Sequence, residues 1–161
     1  MGKSTLAKDK YGEYIRDFTS LGNPFLLLLV SVLSLMSFEH FSKNLGLMVA
    51  GALLNEFICS GIKFLWHKPR PNQQGFENAF EKIDAGSFPS IHASRISFVY
   101  LSIAYIHYMH MHTMMFAVSL LVIVLVGYSR IFLRKHFLLD VSAGYIFGTG
   151  MFWLIKQWYF V

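Results

Sequence analysis

His136 and Asp140 stand four residues apart, so in a helix the carboxylate lies one turn from the imidazole and can fix and charge-balance it. Three basic side chains are candidates to join them. Pro69 and Pro71 forbid helix continuation and throw Arg70 into an extended exit, from which it can converge with Lys63. Arg130 follows Ser129 at the end of an apolar run, six residues before His136. A fourth block, Pro89-Ser90-Ile91-His92, opens another apolar run. Ser90 there is a plausible N-cap, with free backbone N–H groups beyond it. Helix N-termini and clustered Lys and Arg both attract phosphate, so the chemistry in prospect is phosphate binding beside a histidine.

Apolar segments must position these residues. The chain has 161 residues, 55% hydrophobic, 17% aromatic and 14% charged, too apolar for an ordinary soluble domain. The fold class expected is all-α, an integral-membrane bundle of about five helices forming a single domain over residues 1–161. The spans read as Asn23 to Phe38, Leu45 to Trp66, Ala93 to Ile106, Met114 to Ile131 and Leu138 to Tyr159. The first and third fall near or below the roughly 17 residues a span needs. Before them, Tyr11, Tyr14, Ile15 and Phe18 recur at helical spacing, which predicts an interfacial amphipathic helix within residues 1–21. Five spans place both motif loops and the N-terminus on one side. No apolar core near the start suggests a cleavable signal peptide. The lone Cys59 offers neither a disulfide nor a Cys-ligated metal site.

The blocks together resemble the type 2 phosphatidic acid phosphatase superfamily, which includes lipid phosphate phosphatases, glucose-6-phosphatase and vanadium haloperoxidases. Lys63, Arg70 and Pro71 match its K-x6-R-P motif, and Ser129, Arg130, His136 and Asp140 match S-R-x5-H-x3-D. Pro89, Ser90 and His92 match P-S-G-H, with Ile91 where the family has glycine. The resemblance implies that His136 attacks phosphorus, Asp140 holds the imidazole in its nucleophilic tautomer, and His92 protonates the departing lipid oxygen. Lys63, Arg70, Arg130 and the Ser90 hydroxyl would hold the phosphoryl oxygens, without a metal or other cofactor. The expected substrate is an anionic lipid in the bilayer: a polyprenyl pyrophosphate, phosphatidylglycerol phosphate, phosphatidic acid or lipid A 1-phosphate. A lipid phosphotransferase using the same intermediate, or a noncatalytic lipid-phosphate binding or transport protein, are the alternatives. The expected location is a prokaryotic cell membrane, with the side of the site left open and no obligate protein partner implied.

Other features carry two readings each. Ile91 predicts an altered phosphate pocket, because glycine permits close approach or a backbone dihedral costly to a β-branched residue. Lys63, Arg70 and Arg130 taken singly are ordinary cationic flanks of membrane spans. Glu56, deep in a span and seven residues before Lys63, is either a structural ion-pair partner or part of the site. Phe76, Phe80 and Phe88 either contact lipid or anchor the loop at the surface. His107, His110 and His112 read as an interfacial polar turn on the opposite face, and Trp153, Trp158 and Tyr159 as an aromatic belt. The net charge of +5 fits an anionic lipid better than a nucleic acid, for which no fold pattern appears.

Overall fold

A computed structural model of the chain describes residues 21–71, 77–109 and 114–159. They form α1 (Pro24–Leu35), α2 (Phe41–Leu65), α3 (Ala79–Ala85), α4 (Ile91–Met109), α5 (Met114–Phe132) and α6 (Leu138–Ile155), with a 3-10 turn at Lys156–Trp158. The protein is an all-α membrane bundle, and its five long helices coincide with the five expected spans to within a few residues. Three segments, Phe41–Leu65, Met114–Phe132 and Leu138–Trp158, are long and apolar enough to cross a membrane. The predicted interfacial helix lies outside the described residues, as do Phe76, His110 and His112.

α4 is the hub. It packs on α1, α2, α5 and α6, and twelve of its nineteen residues are buried, among them Ser94, Arg95, Ser97 and Ser102. This explains why its sequence is the least lipid-like of the five. Its neighbours screen it from hydrocarbon, so polar side chains there meet protein rather than lipid. The serine hydroxyls are satisfied locally: Ser97 donates to the Ala93 carbonyl at 2.7 Å and Ser102 to Phe98 at 2.8 Å. At nineteen residues, about 28 Å long, α4 is also longer than its apolar core implied. α1 is the short one. Asn23 caps it by accepting the Phe25 N–H at 2.9 Å, with Pro24 in the first turn, where its missing N–H costs nothing.

Two glycines let α6 lie against α4. A Cβ at Gly148 would sit 2.1 Å from the Ser94 carbonyl oxygen, and one at Gly144 2.5 Å from the Ser90 oxygen. Contacts that close involve backbone, which cannot swing aside, so only glycine fits. The two glycines thus form a small-residue packing face. Its effect is to draw together the N-terminal ends of α4 and α6, where the Ser90 N–H donates to the Asp140 carbonyl at 2.9 Å.

The loop that carries Phe76, Phe80 and Phe88 contains the short helix α3. The Asn78 side chain accepts the Glu81 N–H at 2.9 Å while the Glu81 carboxylate accepts the Glu77 N–H at 2.7 Å. This capping arrangement starts a helix without a long apolar run. Beyond α3 the chain is laced to the exit of α2: Pro69 and Gly86 form an antiparallel bridge, the Ser87 N–H donates to the Lys68 carbonyl at 2.7 Å, and the Ser87 hydroxyl donates to the Pro69 carbonyl at 3.1 Å.

Candidate active site

One cavity of about 670 Å³ opens at this end of the bundle, and Lys63, Arg70, Ile91, His92, Arg130 and His136 all line it. α2 delivers Lys63 from its last turn, the kinked exit delivers Arg70, α4 delivers His92 from its first turn, and α5 delivers Arg130. The cations are 3% (Lys63), 8% (Arg70) and 4% (Arg130) exposed. Flanking cations of membrane spans snorkel to water instead, so burial decides against that reading. Leaving a buried charge unmatched costs about 3–5 kcal/mol, and the protein matches these only in part. Lys63 donates to the Gly86 carbonyl at 2.7 Å, Arg70 meets the exposed Asp84 at 3.5 Å, and the buried Arg130 Nε has no hydrogen-bond partner among the described residues. Converging buried positive charge of this kind attracts an anion.

His136 lies between α5 and α6 and is 3% exposed. Its Nδ1 lies 2.7 Å from the Ser87 carbonyl oxygen. A carbonyl can only accept, so Nδ1 carries the hydrogen, and in the neutral ring Nε2 keeps its lone pair. Burial, then the Arg130 and Lys63 charges, pushes the imidazole far below its ordinary range, to about 2, which keeps it neutral at rest. Burial and the neighbouring Arg130 and Arg70 lower the Lys135 ammonium as well.

Two of the expected site residues make other contacts in the structure. Asp140 does not hold the His136 ring. Its carboxylate accepts the Phe137 N–H at 2.8 Å and pairs with Lys68 at 2.5 Å, so it caps α6 and fixes the backbone just after His136. The reason is local: three residues after Phe137, Asp140 falls at the capping position of α6, where exposed N–H groups compete for it. Ser90 is the second. It is fully buried and absent from the cavity wall, with its hydroxyl directed at the Ala93 N–H at 3.5 Å. It caps α4. Ile91 causes no backbone strain, since it opens α4 in helical conformation and Arg134 is the one non-glycine residue of positive φ among those described. Its side chain instead adds an apolar wall to the cavity.

Sequence reasoning missed three participants. Lys68 partners Asp140, Lys135 lines the cavity, and Arg95 lines it one turn beyond His92. An arginine inside a span was the available signal for Arg95. Glu56 pairs with Arg95 and lines the cavity. Phe80 lines the cavity too. His107 caps the far end of α1 through its contact with the Ser34 carbonyl at 3.1 Å.

The PAP2 superfamily pattern matches residues 44–161. Phosphatidylglycerophosphatase B of Bacillus subtilis (strain 168) is 37% identical over 76 residues, which take in 44% of this chain and 37% of that protein. The chain thus matches little more than a third of the length of that curated relative. The crystal structure of the first transmembrane PAP2 type phosphatidylglycerolphosphate phosphatase, from Bacillus subtilis, superposes with a TM-score of 0.70 at 26% identity, covering 92% of this chain and 76% of that one.

Proposed function

The chain belongs to the PAP2 superfamily, and from that premise we propose that it is a lipid phosphatase that hydrolyses a phosphate ester through a phosphohistidine at His136. The observation that carries this reading is the cavity in which buried Lys63, Arg70 and Arg130 surround a histidine whose Nδ1 is committed to a carbonyl, leaving Nε2 for attack.

In the proposed reaction the three cations hold the phosphoryl oxygens and stabilise the charge spread over them in the transition state. The Nε2 lone pair forms a bond to phosphorus as the bond from phosphorus to the lipid oxygen breaks. His92 gives that oxygen its proton, then takes one from the water that attacks the phosphohistidine, so phosphate leaves and both histidines return to their starting states. The Ser87 carbonyl stabilises the positive charge on the His136 ring through the Nδ1–H, the role expected of Asp140. Asp140 acts through the backbone it pins, and Ser90 through the α4 end it caps.

An apolar groove between α1 and α2, lined by Leu28, Met48, Val49 and Leu53, shares Pro24, Glu56 and Arg95 with the polar cavity. It supplies a place for a lipid tail beside the reacting phosphate. The names of the relatives favour phosphatidylglycerol phosphate among the candidate substrates. The test is phosphate release from that lipid, phosphatidic acid, a polyprenyl pyrophosphate and lipid A 1-phosphate in detergent with EDTA. Wild type should release phosphate from at least one and His136→Ala from none; undiminished release by His136→Ala would sink the mechanism. Acceptor-dependent transfer with little free phosphate would identify a phosphotransferase instead.

A further inference from the structure

The Glu56–Arg95 pair stands where the polar cavity meets the apolar groove, since both residues line both spaces. Nothing in the proposed chemistry uses it. Arg95 is buried and four contacts hold it: Nε donates to Glu56 at 2.8 Å, the second terminal nitrogen contacts both Glu56 carboxylate oxygens, and Nη1 donates to the Gly22 carbonyl at 2.9 Å. Most of its hydrogen-bonding capacity is thus committed to Glu56 and the Gly22 carbonyl. Glu56 differs, because its side chain is 40% exposed and two carboxylate oxygens have more lone pairs than the three Arg95 contacts use. It presents a fixed hydrogen-bond acceptor to whatever lies between the phosphate site and the groove.

The helices give the depth. Glu56 is seven residues from Lys63 along α2, about 10 Å, and Arg95 three residues from His92 along α4, about 4.5 Å. With phosphate at Lys63 and the leaving oxygen at His92, the pair lies one group further toward the tail. A carboxylate there repels a second phosphate placed directly against it and attracts a hydroxyl.

We infer that Glu56, held by Arg95, is a headgroup subsite that accepts a hydrogen bond from a hydroxyl on the segment linking the hydrolysed phosphate to the rest of the lipid. The substrate class this selects is a polyol-bearing phospholipid, such as one with a glycerol headgroup, over a polyprenyl pyrophosphate, which has no such hydroxyl. The inference rests on the lipid phosphatase reading and adds the recognition of what the phosphate leaves behind.

The test needs no variant in its first arm. Wild-type protein is assayed on phosphatidylglycerol phosphate and on its deoxy analogue, in which propanediol replaces the headgroup glycerol so that charge is kept and the hydroxyl is lost. A hydrogen bond to a charged acceptor predicts a preference of roughly tenfold or more in kcat/KM for the hydroxyl form. Glu56→Gln should reduce that ratio severalfold, since an amide oxygen is a weaker acceptor than a carboxylate. Equal kcat/KM for the two lipids in wild type would overturn the subsite. So would an equal fall on both lipids in Glu56→Gln, the mark of a merely structural pair. No release from any lipid phosphate would overturn the phosphatase reading itself, and the subsite with it.

Discussion

His136 and Asp140 share a helical spacing, yet each is held by something else. The Ser87 carbonyl meets the ring and Lys68 meets the carboxylate. Four contacts therefore close a loop around the histidine: Lys68 with Asp140, Asp140 with the Phe137 N–H, His136 with the Ser87 carbonyl, and the Ser87 N–H with the Lys68 carbonyl. Lys68 belongs to two of them, which makes it a positioning residue. Lys68→Met is expected to cost about 1–3 kcal/mol of stability, because Asp140 stays fully buried while the lost lysine was a third exposed and partly screened. It should lower kcat roughly tenfold to 100-fold with little change in KM, as a displaced nucleophile would. Lys68→Arg should restore most of the loss. Steady-state kinetics of the two variants decide this, and a loss confined to KM would assign Lys68 to substrate binding instead. None of the loop was legible in the sequence, because a backbone carbonyl has no residue type to flag it. The cations and His92 were legible, since their side-chain types and spacing survive any detail of packing.

Helix ends carry the site, and the seam between α4 and α6 sets how close two of them come. The glycines there are steric requirements, so they can be separated by substitution from glycines that are merely present. Gly148→Ala places a methyl 2.1 Å from the Ser94 carbonyl oxygen and should cost about 1–3 kcal/mol, with activity falling as the Ser90–Asp140 tie loosens. Gly150→Ala, two residues on and with nothing within 4 Å, should be neutral or stabilising by up to about 1 kcal/mol. Thermal unfolding in detergent compares them, and equal midpoints would mean the seam is not close-packed. The five long elements were legible because a bilayer demands long apolar helices. The α3 helix was not, since its start rests on Asn78 and Glu81 rather than on apolar periodicity.

Across the whole molecule, five long helices alternate, so Asn23, Lys63, Ile91, Arg130 and His136 share one end and Lys43 and Lys156 the other. Most of the cationic residues gather at the site end, yet several serve the cavity, which weakens charge as a guide to orientation. Cysteine labelling resolves the arrangement. Glu81→Cys and Lys43→Cys, both exposed and at opposite ends, should react with an impermeant maleimide from opposite sides of an intact membrane, against a native Cys59 that is buried. Labelling of both from one side would break the five-span topology. Composition and apolar run length determined that this chain is a membrane bundle, and three spaced motifs determined its resemblance to the PAP2 superfamily, because hydrophobic burial and charge are properties of residue type. Only the packed structure decided which groups face each other across elements. It gave His136 to the Ser87 carbonyl, Asp140 to Lys68 and Glu56 to Arg95, since such pairings depend on how closely two backbones approach, and that distance is a property of the assembled bundle.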